Sequence, residues 1–405
     1  MSETHDTSRK EIHKSLDLLN FCTRMIGLSF IDDPPTSVFA KIKSSFIFGL
    51  SALSLMLLFT VEVSYIVSLV IKTASLADLV TGLHIVGYGV MSTSKLLTLW
   101  VKRHTFRKSI KDLAEIWPEA PENQEEEDLK KGSLKALRIG QFSYTFFNVL
   151  GVVIYNITPI GIHLYRTSRG LPSVMGYVWF AAYPFDKTKP INHAFVYAFE
   201  CFSGACSMWS MVSTDMMFTT MASHISLLLR VLQIKIRRLG FADAPTPTDN
   251  ARSYQEIVNL IKIHQRLISF SDNVEDAFSL VNFINVMISS VNICCVMFVI
   301  VLLEPWVEMS NKFFLVAALI QVGILCWYAD EIYQASVGVA DAVYASDWYN
   351  GDVRARRALA VFIQRSQKPL YFTALKFRPI TMITFSSILT TSYSYFTLLY
   401  TVYSD

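Results

Sequence analysis

The chain has 405 residues, of which 52% are apolar and 13% aromatic, and its mean hydropathy is +0.37. Charged residues make up only 17% and the net charge is +3, against about 25% charged in soluble domains. This excludes an ordinary soluble enzyme, and no nucleic-acid partner is expected.

In chain order, the opening "MSETHDTSRKEIHKSLDLLNF" is polar and mixed in charge, with no cleavable signal peptide. The first membrane span is therefore expected to target the chain. Seven apolar stretches approach the roughly 20 residues that cross a bilayer as a helix: 46–71, 76–101, 141–164, 194–229, 278–303, 313–328 and 379–402. Lysine and arginine concentrate in segment 1–45, in the second-to-third connection (102–135), in the fourth-to-fifth connection and between spans six and seven. The opposite side holds only Lys72, Arg166, Arg169, Lys187, Lys189 and Lys312. The expectation is an all-α membrane protein with a cytoplasmic N-terminus and an extracellular C-terminus.

The acidic tract "PEAPENQEEEDLKKG" has no apolar period and reads as a solvated loop. The sequon Asn156-Ile157-Thr158 falls on the outer side near loop 165–192, so Asn156 is a candidate glycosylation site, although a chance sequon fits equally well. Glu62, Lys95, Glu200 and Asp215 lie within expected spans, where charge is rare; the sequence assigns them no role. The six cysteines show neither zinc nor disulfide spacing, and no phosphate loop, metal set or nucleophile motif occurs, so neither a cofactor nor enzymatic chemistry is expected.

Between Pro247 and Pro305 there is neither proline nor glycine. A single helix there would be about 80 Å long at 1.5 Å per residue, far beyond a bilayer core of about 30 Å. Ile257, Leu260, Ile261, His264, Leu267 and Ile268 recur at helical spacing. Spans four to six are therefore expected to continue into the cytoplasm as an anchor bundle, with a short link at 239–251, long helices over 252–347 and an anchor helix within 348–378. Leu359, Phe362 and Ile363 form that helix's apolar face and are candidates for subunit assembly, because water drives apolar faces together and lipid does not.

The last stretch, 379–405, carries a stripe of hydroxyls. Thr384, Ser387, Thr391, Ser394, Leu398 and Thr401 follow one another at three and four residues, along one helix face. Two readings stand. The hydroxyls bond back to their own helix or to neighbours, or they face water in a pore shared by several subunits. Leu398, with Val402 one turn on, would form an apolar constriction in such a pore.

The C-terminal run resembles the insect odorant receptor family in its Asp347-Trp348-Tyr349, its Gln364-Arg365-Ser366-Gln367-Lys368-Pro369-Leu370 and its Thr391-Ser392-Tyr393-Ser394-Tyr395-Phe396. Upstream, the likeness is one of span count, inverted topology and length. The resemblance implies a ligand-gated cation channel in the plasma membrane, tetrameric around a pore lined by the last helix. The short link between spans four and five implies an odorant-tuned subunit that assembles with the shared co-receptor. The gate positions that carry over are Leu398, Thr401 and Val402, and Thr391 and Ser394 of the hydroxyl stripe join them as pore candidates. The implied pocket for a small volatile apolar ligand takes in Tyr88, Phe147, Asn148, Gly151, Tyr155, Met208, Phe314 and Ala317. A gustatory channel of the same superfamily shares the fold. A G-protein-coupled receptor is disfavoured by the topology and by the absence of Asp/Glu-Arg-Tyr and Asn-Pro-x-x-Tyr motifs.

Overall fold

A computed structural model describes residues 2–31, 37–117, 123–241, 246–302 and 309–404. Position 303 at the end of the fifth expected span, 118–122 of the acidic tract and 242–245 of the fourth-to-fifth link lie outside the described residues. Among the described residues the fold has ten α-helices, α1 (Ser2–Met25), α2 (Val38–Ile71), α3 (Leu76–Val101), α4 (Arg103–Ile116), α5 (Gln124–Ser168), α6 (Pro190–Arg237), α7 (Pro247–Leu302), α8 (Met309–Tyr344), α9 (Val353–Ser366) and α10 (Met382–Ser404). Between α9 and α10, β1 (Thr373–Ala374) pairs antiparallel with β2 (Arg378–Pro379).

Five of the described helices are long and apolar enough to cross a membrane, namely α2, α5, α6, α7 and α8. The other two expected spans form α3 and α10; polar residues dilute both, His84 and Lys95 in the first and a dense set of Ser and Thr in the second. On α2 the exposed Phe46, Leu50, Leu53 and Leu57 repeat at four, three and four residues, a stripe suited to lipid. By contrast α6 is buried almost all round and sits at the centre, packed against α1, α2, α3, α5, α7 and α8. Its small Ser203, Gly204, Ser207, Ser210 and Ser213 let neighbouring backbones approach, as interfaces between membrane helices require. Ser210 donates to the Ser92 carbonyl of α3 at 2.8 Å.

The expectation of one unbroken helix from Pro247 is met by α7, 56 residues long. Its first half packs outside the apolar span with α4, α9 and α8, and α1 closes on α6. In the polar N-terminal segment Ile12, Leu16, Leu19, Cys22 and Ile26 are buried at spacings of three and four, so α1 joins the core. Here the structure corrects one sequence expectation. The acidic tract is not a loop from Gln124 onward. Asn123 caps α5 by accepting from Glu126 N at 3.0 Å, and Glu125, Glu126 and Glu127 occupy the first turn, where carboxylates favour a helix.

The anchor helix runs over Val353–Ser366 within the expected 348–378, capped by Asp352, which accepts from Ala355 N at 2.8 Å. Leu359 and Phe362 are fully or almost fully buried, and Ile363 packs on the same cluster. Phe362 lies against His264 of α7, with ring centroids 5.2 Å apart. These side chains are thus enclosed in the chain's own core, which leaves any contact between subunits to the other faces of α9. After Pro369 the β-hairpin turns through Leu375 and Lys376 at positive φ and is tied to α7 by Leu375 N to Ser279 O at 3.3 Å. The hairpin fixes where α10 begins.

Candidate functional site

A cavity of about 60 Å³ opens where α3, α5, α6, α7 and α8 converge. Tyr88 and Met91 come from α3, Asn148, Gly151, Val152 and Tyr155 from α5, Met211 from α6, and Ser289 and Asn292 from α7. From α8 come Ser310, Phe313, Phe314, Ala317, Ala318 and Gln321. The α5 residues stand at i, i+3, i+4 and i+7, and Phe314, Ala317, Ala318 and Gln321 repeat that pattern, so each helix offers one face. A Cβ added to Gly151 meets nothing within 4 Å, which makes it the open side of the wall.

The remaining wall is Trp179, from the irregular segment after α5. Glu200 of α6 holds that segment. Its Oε2 accepts from Val178 N at 2.8 Å and Trp179 N at 3.1 Å, its Oε1 accepts from the Tyr183 hydroxyl at 2.9 Å, and its backbone carbonyl accepts from Trp179 Nε1 at 3.2 Å. Gly204, one turn along, leaves room for the indole, because a Cβ there would stand 3.0 Å from Trp179 Cζ2. Trp179 stacks on Tyr155 at 4.7 Å and near Tyr88 at 6.2 Å, and Tyr88 meets Phe314 edge-on at 5.5 Å. The cavity is therefore an aromatic box.

Its floor is polar. Lys95 donates to both carboxylate oxygens of Asp215, at 2.6 and 2.8 Å, and both side chains are buried. The Tyr144 hydroxyl donates to Asp215 Oδ2 at 2.6 Å, and Gln321 Nε2 donates to the same oxygen at 3.2 Å. Four helices thus meet on one carboxylate, and its attraction to the ammonium in a low dielectric offsets the cost of burying both charges. Glu62, by contrast, is buried with Oε2 unpartnered, beside Gly89.

Of the residues expected at a pocket, Tyr88, Asn148, Gly151, Tyr155, Phe314 and Ala317 line the cavity. Phe147 does not: it is the neighbour of Asn148, turned about 100° round the helix, and is exposed. Met208 is buried in the core one turn from Met211, which takes the lining position. Trp179 carried no periodic signal, and its presence in the box depends on Glu200. Asn156 sits in mid-helix, with Oδ1 buried and its carbonyl accepting from the Tyr197 hydroxyl. A glycan acceptor needs an exposed loop, so the sequon does not fit this geometry.

On α10, Ile388, Ser392, Phe396 and Leu399 face the chain, with Ser392 donating to the Ser290 carbonyl of α7 at 3.0 Å. Thr391, Ser394, Leu398, Thr401 and Val402 are exposed, Leu398 and Val402 at 60% each. Ser394 and Thr401 donate to the carbonyls four residues back, both at 3.0 Å. Ser394 and Thr401 are thus satisfied within their own helix while the stripe presents an unpacked face.

Long apolar helices around an aromatic cavity define a multi-pass membrane protein. The model of the 7tm Odorant receptor family matches residues 75–393, and the chain belongs to that family. Among its relatives, Odorant receptor 85c of Drosophila melanogaster is 25% identical over 375 residues, covering 90% of this chain and 92% of that protein. Odorant receptor 85b of the same organism is 27% identical over 341 residues, covering 81% and 83%. The fold matches the insect olfactory receptor OR5 from Machilis hrabei in complex with eugenol, with a TM-score of 0.82 at 16% identity, over 98% of this chain and 99% of that one.

Proposed function

We propose that this chain is an odorant-tuned subunit of a ligand-gated cation channel in the plasma membrane, working with a co-receptor in a heterotetramer. A small volatile, mostly apolar ligand binds in the box between Tyr88, Tyr155, Trp179 and Phe314, and the last helix lines the shared pore. The observation that carries this reading is the adjacency of cavity and α10 through one helix. Ser289 and Asn292 of α7 line the cavity, and Ser290 between them accepts from Ser392 of α10. A ligand that shifts α7 therefore acts on α10 directly. The aromatic lining with few polar groups suits such a ligand, and the fold relative is described with eugenol bound.

In this reading the five clear spans, α3 and α10 make seven crossings, with the N-terminus inside and the C-terminus outside. Thr391, Ser394, Leu398, Thr401 and Val402 face the pore, with Leu398 at its apolar constriction. Assembly is carried below the membrane by the outer surface of α9 and the hairpin, where Val361 and Phe377 are exposed, while Leu359, Phe362 and Ile363 hold that surface in shape from within. The test is current recorded from cells expressing the chain with and without the co-receptor, against a panel of volatiles. Evoked cation current is expected only with both. Volatile responses that need a G protein and pass no current through the complex would overturn the reading.

A further inference from the structure

Three carboxamides line the cavity, and the Lys95–Asp215 network decides which way one of them, Gln321, points. Gln321 lines the cavity and is largely buried. Its Nε2 lies 3.2 Å from Asp215 Oδ2 and 3.5 Å from Asn285 Oδ1. Both of those atoms are acceptors, so the amide nitrogen must sit there, since an oxygen in its place would face two oxygens. That leaves the carbonyl Oε1 directed away from the network. Rotating the side chain would take a donor from Asp215, whose remaining donors are Lys95 and Tyr144. The ion pair therefore fixes Gln321 as an acceptor.

The other carboxamides agree. Asn148 commits Nδ2 to the Tyr144 carbonyl at 2.9 Å. Asn292 directs Nδ2 to Met91 Sδ at 3.8 Å, and its Oδ1 is closed over by Gly87, where an added Cβ would overlap it. Ser310 donates to Thr158 Oγ1 at 2.9 Å. These amide hydrogens and the Ser310 hydroxyl are turned to the protein; the Tyr88, Tyr155 and Ser289 hydroxyls also line the box, and Gln321 is the carboxamide whose carbonyl the buried ion pair orients.

We propose that Gln321 Oε1 accepts a hydrogen bond from the ligand, so that this chain is tuned to volatiles bearing a hydroxyl, an alcohol or phenol, rather than to their ethers or hydrocarbons. The inference rests on the cavity being the odorant site. An acceptor left unpaired in a closed site penalises a ligand without the donor, and one neutral hydrogen bond corresponds to about fivefold in affinity.

The experiment records currents in cells co-expressing the chain and the co-receptor, using matched probes that differ only by a methyl on oxygen: 4-methylphenol with 4-methylanisole, and 1-pentanol with 1-methoxypentane. The wild type is expected to respond to the hydroxyl member at about fivefold lower concentration. Gln321→Leu and Gln321→Met are expected to bring the two members of each pair together while the ether responses persist. Equal potency within the wild-type pairs overturns the inference, and so does a hydroxyl preference that survives both substitutions at normal surface expression. If neither variant reaches the surface, the wild-type pairs decide alone. Silence of the wild type to every volatile overturns the receptor reading itself, and this inference with it.

Discussion

Asp215 shows what the sequence could and could not say about a single residue. Four charges in apolar stretches, Glu62, Lys95, Glu200 and Asp215, are visible by inspection, but Lys95 and Asp215 stand 120 positions apart and the backbone partners of Glu200 lie in an irregular segment. Only the fold brings Lys95 to Asp215, and only the fold lets Glu200 seize the backbone around Trp179. Removing one member of a buried pair strands the other at a cost of about 3–5 kcal/mol. Lys95→Met should therefore lower the melting temperature and surface expression severely. Lys95→Met combined with Asp215→Leu should recover much of the loss, because no charge is then left unpaired. Thermal stability of the detergent-purified variants measures this; a double variant no better than Lys95→Met would show that the pair is not what holds α3 to α6.

At the scale of helices, period and length were legible and ends were not. The breaker-free run from Pro247 gave one helix because nothing in it opposes helical geometry. The acidic tract misled because Glu and Asn signal a loop in bulk but a helix start when Asn precedes three glutamates. The cavity residues on α5 and α8 were expected through the family resemblance, yet Phe147 shows that a neighbour of a lining residue points elsewhere. Trp179 was invisible because an irregular segment has no period to read. On α10, Ser394 and Thr401 bond back along the helix, so the stripe alone could not distinguish pore from packing; in the proposed function the exposed Leu398 and Val402 face the pore. Leu398→Ser should wet the constriction and raise basal current in the co-receptor complex. Leu398→Lys should reduce cation flow by like-charge repulsion. Both effects are expected to be partial, since only some subunits carry the change. Whole-cell recordings in which basal current and cation permeability match the wild type in both variants would remove Leu398 from the gate.

For the whole molecule, the core runs without a break from the apolar spans into the packing of α1, α4, α7 and α9. Residues of α9 then divide by face. Phe362→Asp places a charge in the chain's own core and should reduce folded protein of any kind. Val361→Asp, on the exposed face, should leave the chain folded but weaken co-purification with the co-receptor. Equal co-purification of the Val361→Asp variant and the wild type would move the contact away from α9.

The central claim is that the aromatic box sets which ligand opens the pore, and Gly151 offers the most direct measurement of it. The open side of that wall admits a side chain without backbone strain. Gly151→Leu is expected to reach the surface normally, to leave basal current unchanged, and to shift the concentration–response order of a homologous series of volatiles toward its smaller members. An order across the series that is the same as in the wild type, at equal surface expression, would contradict the account.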